Sequence, residues 1–155
     1  MKTIKKNIKD SERGKTFNLH VAEVNSNFEM LLKNVIDECI KLFPNIDFET
    51  TIINDPEEFK LKEIKKSDLV FIESEFLLDI PKQVQIKPYE KQDVVLLLDS
   101  HFVGEGAAKI KEVITENSLN LTGHISLTNY PFSLIKLLVI DFIKSKLHSY
   151  GGKNI

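Results

Sequence analysis

The stretch Asp68-Leu69-Val70-Phe71-Ile72-Glu73 decides the fold. Four consecutive apolar residues between two acids leave no polar face for water, so the segment reads as a strand covered on both sides. Four more short apolar runs share this character: His20 to Glu23, Phe48 to Ile53, Val94 to Asp99 and His124 to Leu127. Three of the five end on a carboxylate, at Glu23, Glu73 and Asp99. In a parallel sheet wound with helices, the carboxyl ends of the strands are where sites are built.

The gaps between the runs supply the helices. After a first strand of about Phe17 to Val24, any of Asn25, Ser26 and Asn27 can cap a following helix. Phe28, Leu31, Leu32, Val35, Ile36, Cys39, Ile40 and Phe43 then recur three and four apart, the stripe of a helix packed on a sheet. Pro44-Asn45 closes it, and Ile46 to Ile53 gives the second strand. Asp55-Pro56-Glu57-Glu58 is a helix start, with Asp55 as cap and proline in the first turn, and predicts a short helix to Lys66.

From Ser74 to Gln92 the pattern is irregular, because Pro81 and Pro88 interrupt it and Gln83-Val84-Gln85-Ile86 alternates like a small strand. Gly106 to Glu116 reads as the next helix, with Ala107, Ile110, Val113 and Ile114 inward. The last helix, Ser133 to about His148, is apolar over more than one face: Ile135, Leu138, Val139 and Phe142 can cover the sheet, which leaves Leu134, Leu137 and Ile140 over. Two readings stay open for these three residues. They are buried under the N-terminal arm or the irregular segment, or they form a surface for a partner or a second copy of the chain.

With 155 residues, the chain suits one domain with a proper core. We divide it into a flexible basic N-terminal arm over 1–16, a domain over 17–150 and a disordered tail over 151–155. A net charge of −2 gives no electrostatic case for nucleic acid, and Arg13 is the one arginine among 21 basic residues, so bidentate clamps on phosphate or guanine are scarce. The charges of the arm (Lys2, Lys5, Lys6, Lys9, Arg13 and Lys15) read as a solvated tail. Cys39 lies on the apolar stripe of the first long helix and cannot form an internal disulfide. His20, His101, His124 and His148 have no zinc-type spacing, and no metal is expected. No apolar run approaches the roughly 20 residues that span a bilayer, and the N-terminus lacks the apolar core of a signal peptide, so the expected location is the cytoplasm with no membrane partner.

Three segments carry a resemblance. Leu19-His20-Val21-Ala22-Glu23-Val24-Asn25, Asp68-Leu69-Val70-Phe71-Ile72-Glu73 and Leu127-Thr128-Asn129-Tyr130-Pro131-Phe132-Ser133-Leu134 resemble three elements of the receiver domain of two-component response regulators. These elements are its acid-bearing first strand, its phosphoacceptor strand and its lysine-proline-phenylalanine turn. The resemblance implies an α/β, flavodoxin-like, doubly wound parallel sheet of five strands in the order 2-1-3-4-5, with helices on both faces. It also implies a site for phosphoryl transfer: a carboxylate nucleophile, a Mg²⁺ held by two acids after the first strand, and a lysine that neutralises developing charge.

At the matched positions this chain departs from that chemistry. The metal-binding acid pair falls on Glu23 and Val24, so one ligand is absent. Glu73 stands for the nucleophilic aspartate and carries its oxygens one methylene further out, which disturbs in-line geometry. Tyr130 stands for the lysine and has no positive charge at neutral pH, while the threonine or serine after the fourth strand falls on Asp99, with Ser100 beside it. The chain therefore resembles a degenerate, pseudo-receiver type that signals by protein–protein contact without phosphorylation, with no cofactor and no enzymatic activity. Its partner surface would be the last strand and helix, through Leu134, Leu137 and Ile140, for another protein or a homodimer. Glu73 reads either as a permanent charge imitating a phosphorylated aspartate or as a solvated residue at a strand end.

One alternative belongs to another class. Gly104-Glu105-Gly106 follows a strand and opens a helix, where backbone amides can cradle a phosphate. A small flavodoxin-like enzyme or a phosphate- or nucleotide-binding module would use this rim, near Asp99, Gly104 and Gly106. Asp99-Ser100-His101 makes no triad, because neighbours along a strand end point in alternating directions.

Overall fold

A computed structural model of the protein describes residues 2–6, 15–24, 27–58, 67–79, 93–98, 108, 111–112 and 121–150. The apolar runs become strands of one sheet: β1 (Lys2–Lys6), β2 (Lys15–Ala22), β3 (Ile46–Ile53), β4 (Leu69–Glu73), β5 (Asp93–Leu98) and β6 (Leu121–Ser126), in the order β1-β3-β2-β4-β5-β6. Strands β2 to β6 are parallel, and taken alone they have the expected order 2-1-3-4-5. The fold is flavodoxin-like α/β.

The first strand corrects the expected arm. Lys2–Lys6 pairs antiparallel with β3, Lys2 opposite Ile52 and Lys6 opposite Phe48, and Lys15 already opens β2. The sheet therefore has six strands among the described residues, and the N-terminal residues are not all a free tail. Pairing at a sheet edge is made by backbone N–H and C=O groups, so a segment with little apolar content can still be a strand. Residues 7–14 and 151–155, the remainder of the expected arm and the tail, lie outside the described residues.

Alternation along the strands builds two buried faces. On one, Phe17, Leu19 and Val21 of β2, Phe48 and Ile52 of β3, Leu69 and Phe71 of β4, and Val95 and Leu97 of β5 join a core completed by two helices. These are α1 (Asn27–Leu42) and α3 (Phe132–Ser149), which lie against each other and are tied by an ion pair of 2.5 Å between Lys136 and Glu38. The predicted stripe of α1 is the one buried, and Phe28 meets Phe71 with ring centroids 5.1 Å apart. On the opposite face His20, Ala22, Val70, Ile72, Val94 and Leu96 are buried as well, which explains the unbroken apolar run of β4.

The segment after β4 is more regular at its start than its composition suggests. Chain leaves β4 directly into α2 (Ser74–Asp79), whose Phe76 and Leu77 are buried and which packs against β4 and β5. The expected small strand at Gln83 to Ile86 lies outside the described residues, as does the chain from 59 to 66 where a helix to Lys66 was expected. Of that helix a 3₁₀ turn, Pro56–Glu58, is described, with Asp55 Oδ1 accepting from the Glu57 amide at 3.0 Å as its cap. Within the expected helix from Gly106 to Glu116, the described positions Ala108, Lys111 and Glu112 are helical. No helix among the described residues is long and apolar enough to cross a membrane.

Candidate functional site

Two carboxylates meet at the carboxyl rim of the sheet. β2 and β4 are hydrogen-bonded neighbours with Ala22 opposite Ile72, so Glu23, which follows β2, comes beside Glu73, the last residue of β4. Both are buried: Glu23 is 1% exposed and Glu73 5%. Register brings together two of the acids singled out in the sequence. The third, Asp99, lies outside the described residues, and so do Gly104 and Gly106 of the candidate phosphate loop.

Glu23 is held from four directions. Its amide donates to the Ile53 carbonyl at 3.0 Å and its carbonyl accepts from Asn54 Nδ2 at 3.1 Å, which fixes the backbone against the end of β3. Its side chain turns back toward α1: Oε2 accepts from the Phe28 amide at 3.1 Å and Oε1 from the Glu29 amide at 2.9 Å. The first amides of a helix have no partner within the helix, and a carboxylate there also faces the positive end of the helix dipole. Glu23 thus caps two first-turn amides of α1; Asn25, Ser26 and the Asn27 side chain, the caps expected from the sequence, lie outside what is described. A side chain reaching five and six residues ahead leaves no spacing signature, whereas the capping residue types are conspicuous.

Glu73 is neither a solvated strand end nor an open acceptor. Its Oε1 accepts from the amide of Val24 at 3.2 Å, so the carboxylate of β4 holds the turn that leads from β2 into α1. Val24 itself is 40% exposed. Burial raises the pKa of Glu23 from 4.5 to about 7; the amides of Glu29 and Phe28 pull it down, and the neighbouring charges of Glu73 and Glu29 push it further up.

The described part of this rim does not fit the Mg²⁺ of a receiver. A hard cation needs several oxygen ligands, yet among the described residues both side-chain oxygens of Glu23 already face amide donors, the Val24 side chain offers no oxygen, and no group of three metal-ligating side chains occurs. Tyr130, at the position of the lysine, lies in the turn after β6, is 45% exposed, and is followed by Pro131 at the N-cap of α3. That turn is at the same rim, on the far side of β5 from β4.

The surplus apolar residues of α3 divide. Leu137 is 59% exposed and Leu134 37%, but Ile140 is 5% exposed and belongs to the core. Ile140 is therefore removed from the expected interaction surface: it packs inward with Val139 and Ile143. The described part of the basic arm, β1, lies at the edge of the sheet opposite β6, and residues 7–14 of the arm and 80–92 of the irregular segment lie outside the described residues. Sequence reasoning missed Phe132, 54% exposed, which extends the exposed series Tyr130, Leu134 and Leu137.

No protein-family model matches the chain, and no curated protein does. Among solved structures it is similar to the response regulator domain of CheB from Thermotoga maritima, with a TM-score of 0.53 and 15% identity over 86% of this chain and 97% of that one. It is also similar to a short-chain flavodoxin associated with a non-canonical PDU bacterial microcompartment, with a TM-score of 0.48 and 10% identity over 86% of this chain and 99% of that one. A flavoprotein from Thermotoga maritima gives a TM-score of 0.47 and 16% identity over 91% of this chain and 37% of that one. The chain has a receiver-like, flavodoxin-like fold.

Proposed function

We propose that the protein is a regulatory domain of the pseudo-receiver type, which acts through contact with another protein and takes no phosphate. The observation that carries this reading is the commitment of Glu23. Both of its oxygens cap α1, and Glu73, at the phosphoacceptor position, holds the Val24 amide. Phosphoryl transfer is largely positioning and charge stabilisation, and among the described residues no metal cup forms, while Tyr130 stands where the resemblance puts the charge-neutralising lysine. Incubation with a small acyl phosphate and Mg²⁺, followed by intact mass, tests it: no phosphate is added. A stable adduct mapped to Glu73 or Asp99 overturns the reading.

Contact is assigned to the exposed residues Phe132, Leu134 and Leu137 at the start of α3. Apolar side chains in sequence on one helix end favour a protein partner over a small ligand. Sedimentation at micromolar concentration tests the homodimer version. A wild-type dimer that Leu137→Glu converts to monomer supports it, and a wild-type monomer removes it, leaving a different protein as the partner.

A further inference from the structure

The two edges of the sheet are built differently. β1, at one edge, has lysine at three of its five positions, a composition that discourages a further strand. β6, at the other, reads Leu121-Thr122-Gly123-His124-Ile125-Ser126, with no lysine, arginine, acid or proline, and among the described residues no strand lies beyond it. The irregularity in its pairing with β5 falls at Thr122, between Leu121 opposite Val94 and Gly123 opposite Val95, and from Gly123 onward the register is regular. The Leu127 amide donates to the Leu98 carbonyl at 2.8 Å. Alternate residues of a strand turn their backbone groups to opposite neighbours, so Gly123, Ile125 and Leu127 bond β5 while His124 and Ser126 present amide and carbonyl outward.

An apolar stripe flanks this row. Leu134, Leu138 and Phe142 recur four apart, which puts them on one side of α3, and the Phe142 ring over Gly123 places that side above the edge strand. Lys136 marks the other flank, where it reaches Glu38 of α1. Leu134 is exposed, and Leu138 and Phe142 are half-buried against the core.

We propose that β6 is the seat of a second copy of this chain, joined edge to edge and antiparallel into one continuous sheet about a two-fold axis at Ile125. His124 of each copy exchanges both backbone bonds with Ser126 of the other. The occupant follows from the segment itself. Outward groups at His124 and Ser126 are symmetric about Ile125, so the strand turned about that point meets itself donor to acceptor, with no acid or lysine in it to oppose a like charge. An axis normal to the sheet keeps both α3 helices on the same face, and their apolar stripes meet above the junction and leave water together. A small ligand has no use for a row of backbone groups, and an unrelated strand does not bring the second stripe.

The inference deepens the contact reading above and rests on it for its use in regulation, since it names a second copy as the partner and β6 as its seat. A phosphate adduct would overturn the pseudo-receiver assignment and leave the edge dimer in place.

Sedimentation of the full chain at micromolar concentration tests it, and wild type is expected to be a dimer. His124→Pro removes one outward amide from each copy without touching the ladder to β5, and raises the dissociation constant by about tenfold or more. His124→Glu and His124→Lys, at an exposed position, each weaken the dimer about fivefold, because the introduced charges stand diagonally across the axis from their own copies. Mixing these two variants in equal amounts restores the dimer. A wild-type monomer overturns the proposal, and so does a dimer indifferent to all three substitutions or a Glu and Lys mixture that binds no more tightly than its components. A dimer that Leu137→Glu dissolves and the His124 variants leave intact is built on the exposed helix face, which overturns the edge assignment and keeps the homodimer reading. Circular dichroism verifies that each variant is folded, and the charge pair keeps the test decisive should the proline variant unfold.

Discussion

Tyr150 donates its hydroxyl to Asp68 Oδ1 at 2.5 Å, closing the end of α3 onto the residue that precedes β4. The other carboxylate oxygen of Asp68 accepts from the Asn18 amide at 2.7 Å, so one side chain ties the helix end to β2 as well. Lys146, paired with Asp93 at 2.9 Å, lies over the Tyr150 ring at 5.3 Å. Tyr150→Phe keeps the ring contact and loses one hydrogen bond to a charged acceptor, a loss of about 1.5 kcal/mol in urea denaturation. Asp68→Ala also leaves the Asn18 amide without its acceptor, and the expected loss is larger, about 3 kcal/mol.

Stability falls as pH rises toward neutrality through Glu23. Its folded pKa, about 7, stands above the ordinary 4.5, so between these values the folded protein binds a proton that the unfolded chain has released. The folded state is favoured fully below pH 4.5 and loses that advantage on the way to pH 7, by at most about 3 kcal/mol at ~1.4 kcal/mol per unit. Thermal denaturation of wild type and Glu23→Gln across this range measures the effect: the difference between them depends on pH, and the slope is smaller in the variant.

Phe142 on α3 sits over Gly123 of β6 so closely that a Cβ there would come 2.6 Å from the ring. Gly123→Ala must push the ring aside, at a cost of about 1–3 kcal/mol. Phe142→Leu shortens the obstructing group. In a double-mutant cycle the two substitutions together cost less than the sum of each alone. Additive costs would show that the glycine is needed for some other reason.

Ile140 and Leu137 are three residues apart on the same helix and lie on opposite sides of the solvent boundary, 5% and 59% exposed. Ile140→Ala is expected to cost about 2–5 kcal/mol by leaving a cavity among Val139, Ile143 and their neighbours. Leu137→Ala stays within about 0.5 kcal/mol, since nothing in the folded monomer closes over it. Chemical denaturation of both variants separates the two roles directly.

How much of this was legible in the chain depended on what held each element. The parallel strands announced themselves because both faces of the sheet are covered, which forces runs such as Leu69 to Ile72. α1 was legible because a single stripe meets the core. β1 was not, since its pairing uses backbone groups that every residue except proline possesses. Nor was the cap by Glu23, which depends on a turn folding a side chain back across the helix start. For Leu134, Leu137 and Ile140 the sequence defined a surplus of apolar residues and not its allocation, because the angle at which α3 crosses the sheet decides which are covered. Glu23 and Glu73 lie side by side, and their hydrogen bonds give them structural duties that a motif cannot reveal.

β1 has a consequence for the behaviour of the protein in concentrated solution. The strand it covers, Ile46–Ile53, is rich in β-branched and aromatic residues, and its outer row of N–H and C=O groups would otherwise be an open template for another chain. The cover is a segment in which Lys2, Lys5 and Lys6 make up three of five positions, a composition that discourages stacking of further strands. Removing residues 1–6 should therefore leave the core and its far-UV spectrum in place while making the protein self-associate, measurable as light scattering that grows with concentration. The expected role of β1 is to guard this edge of the sheet against aggregation.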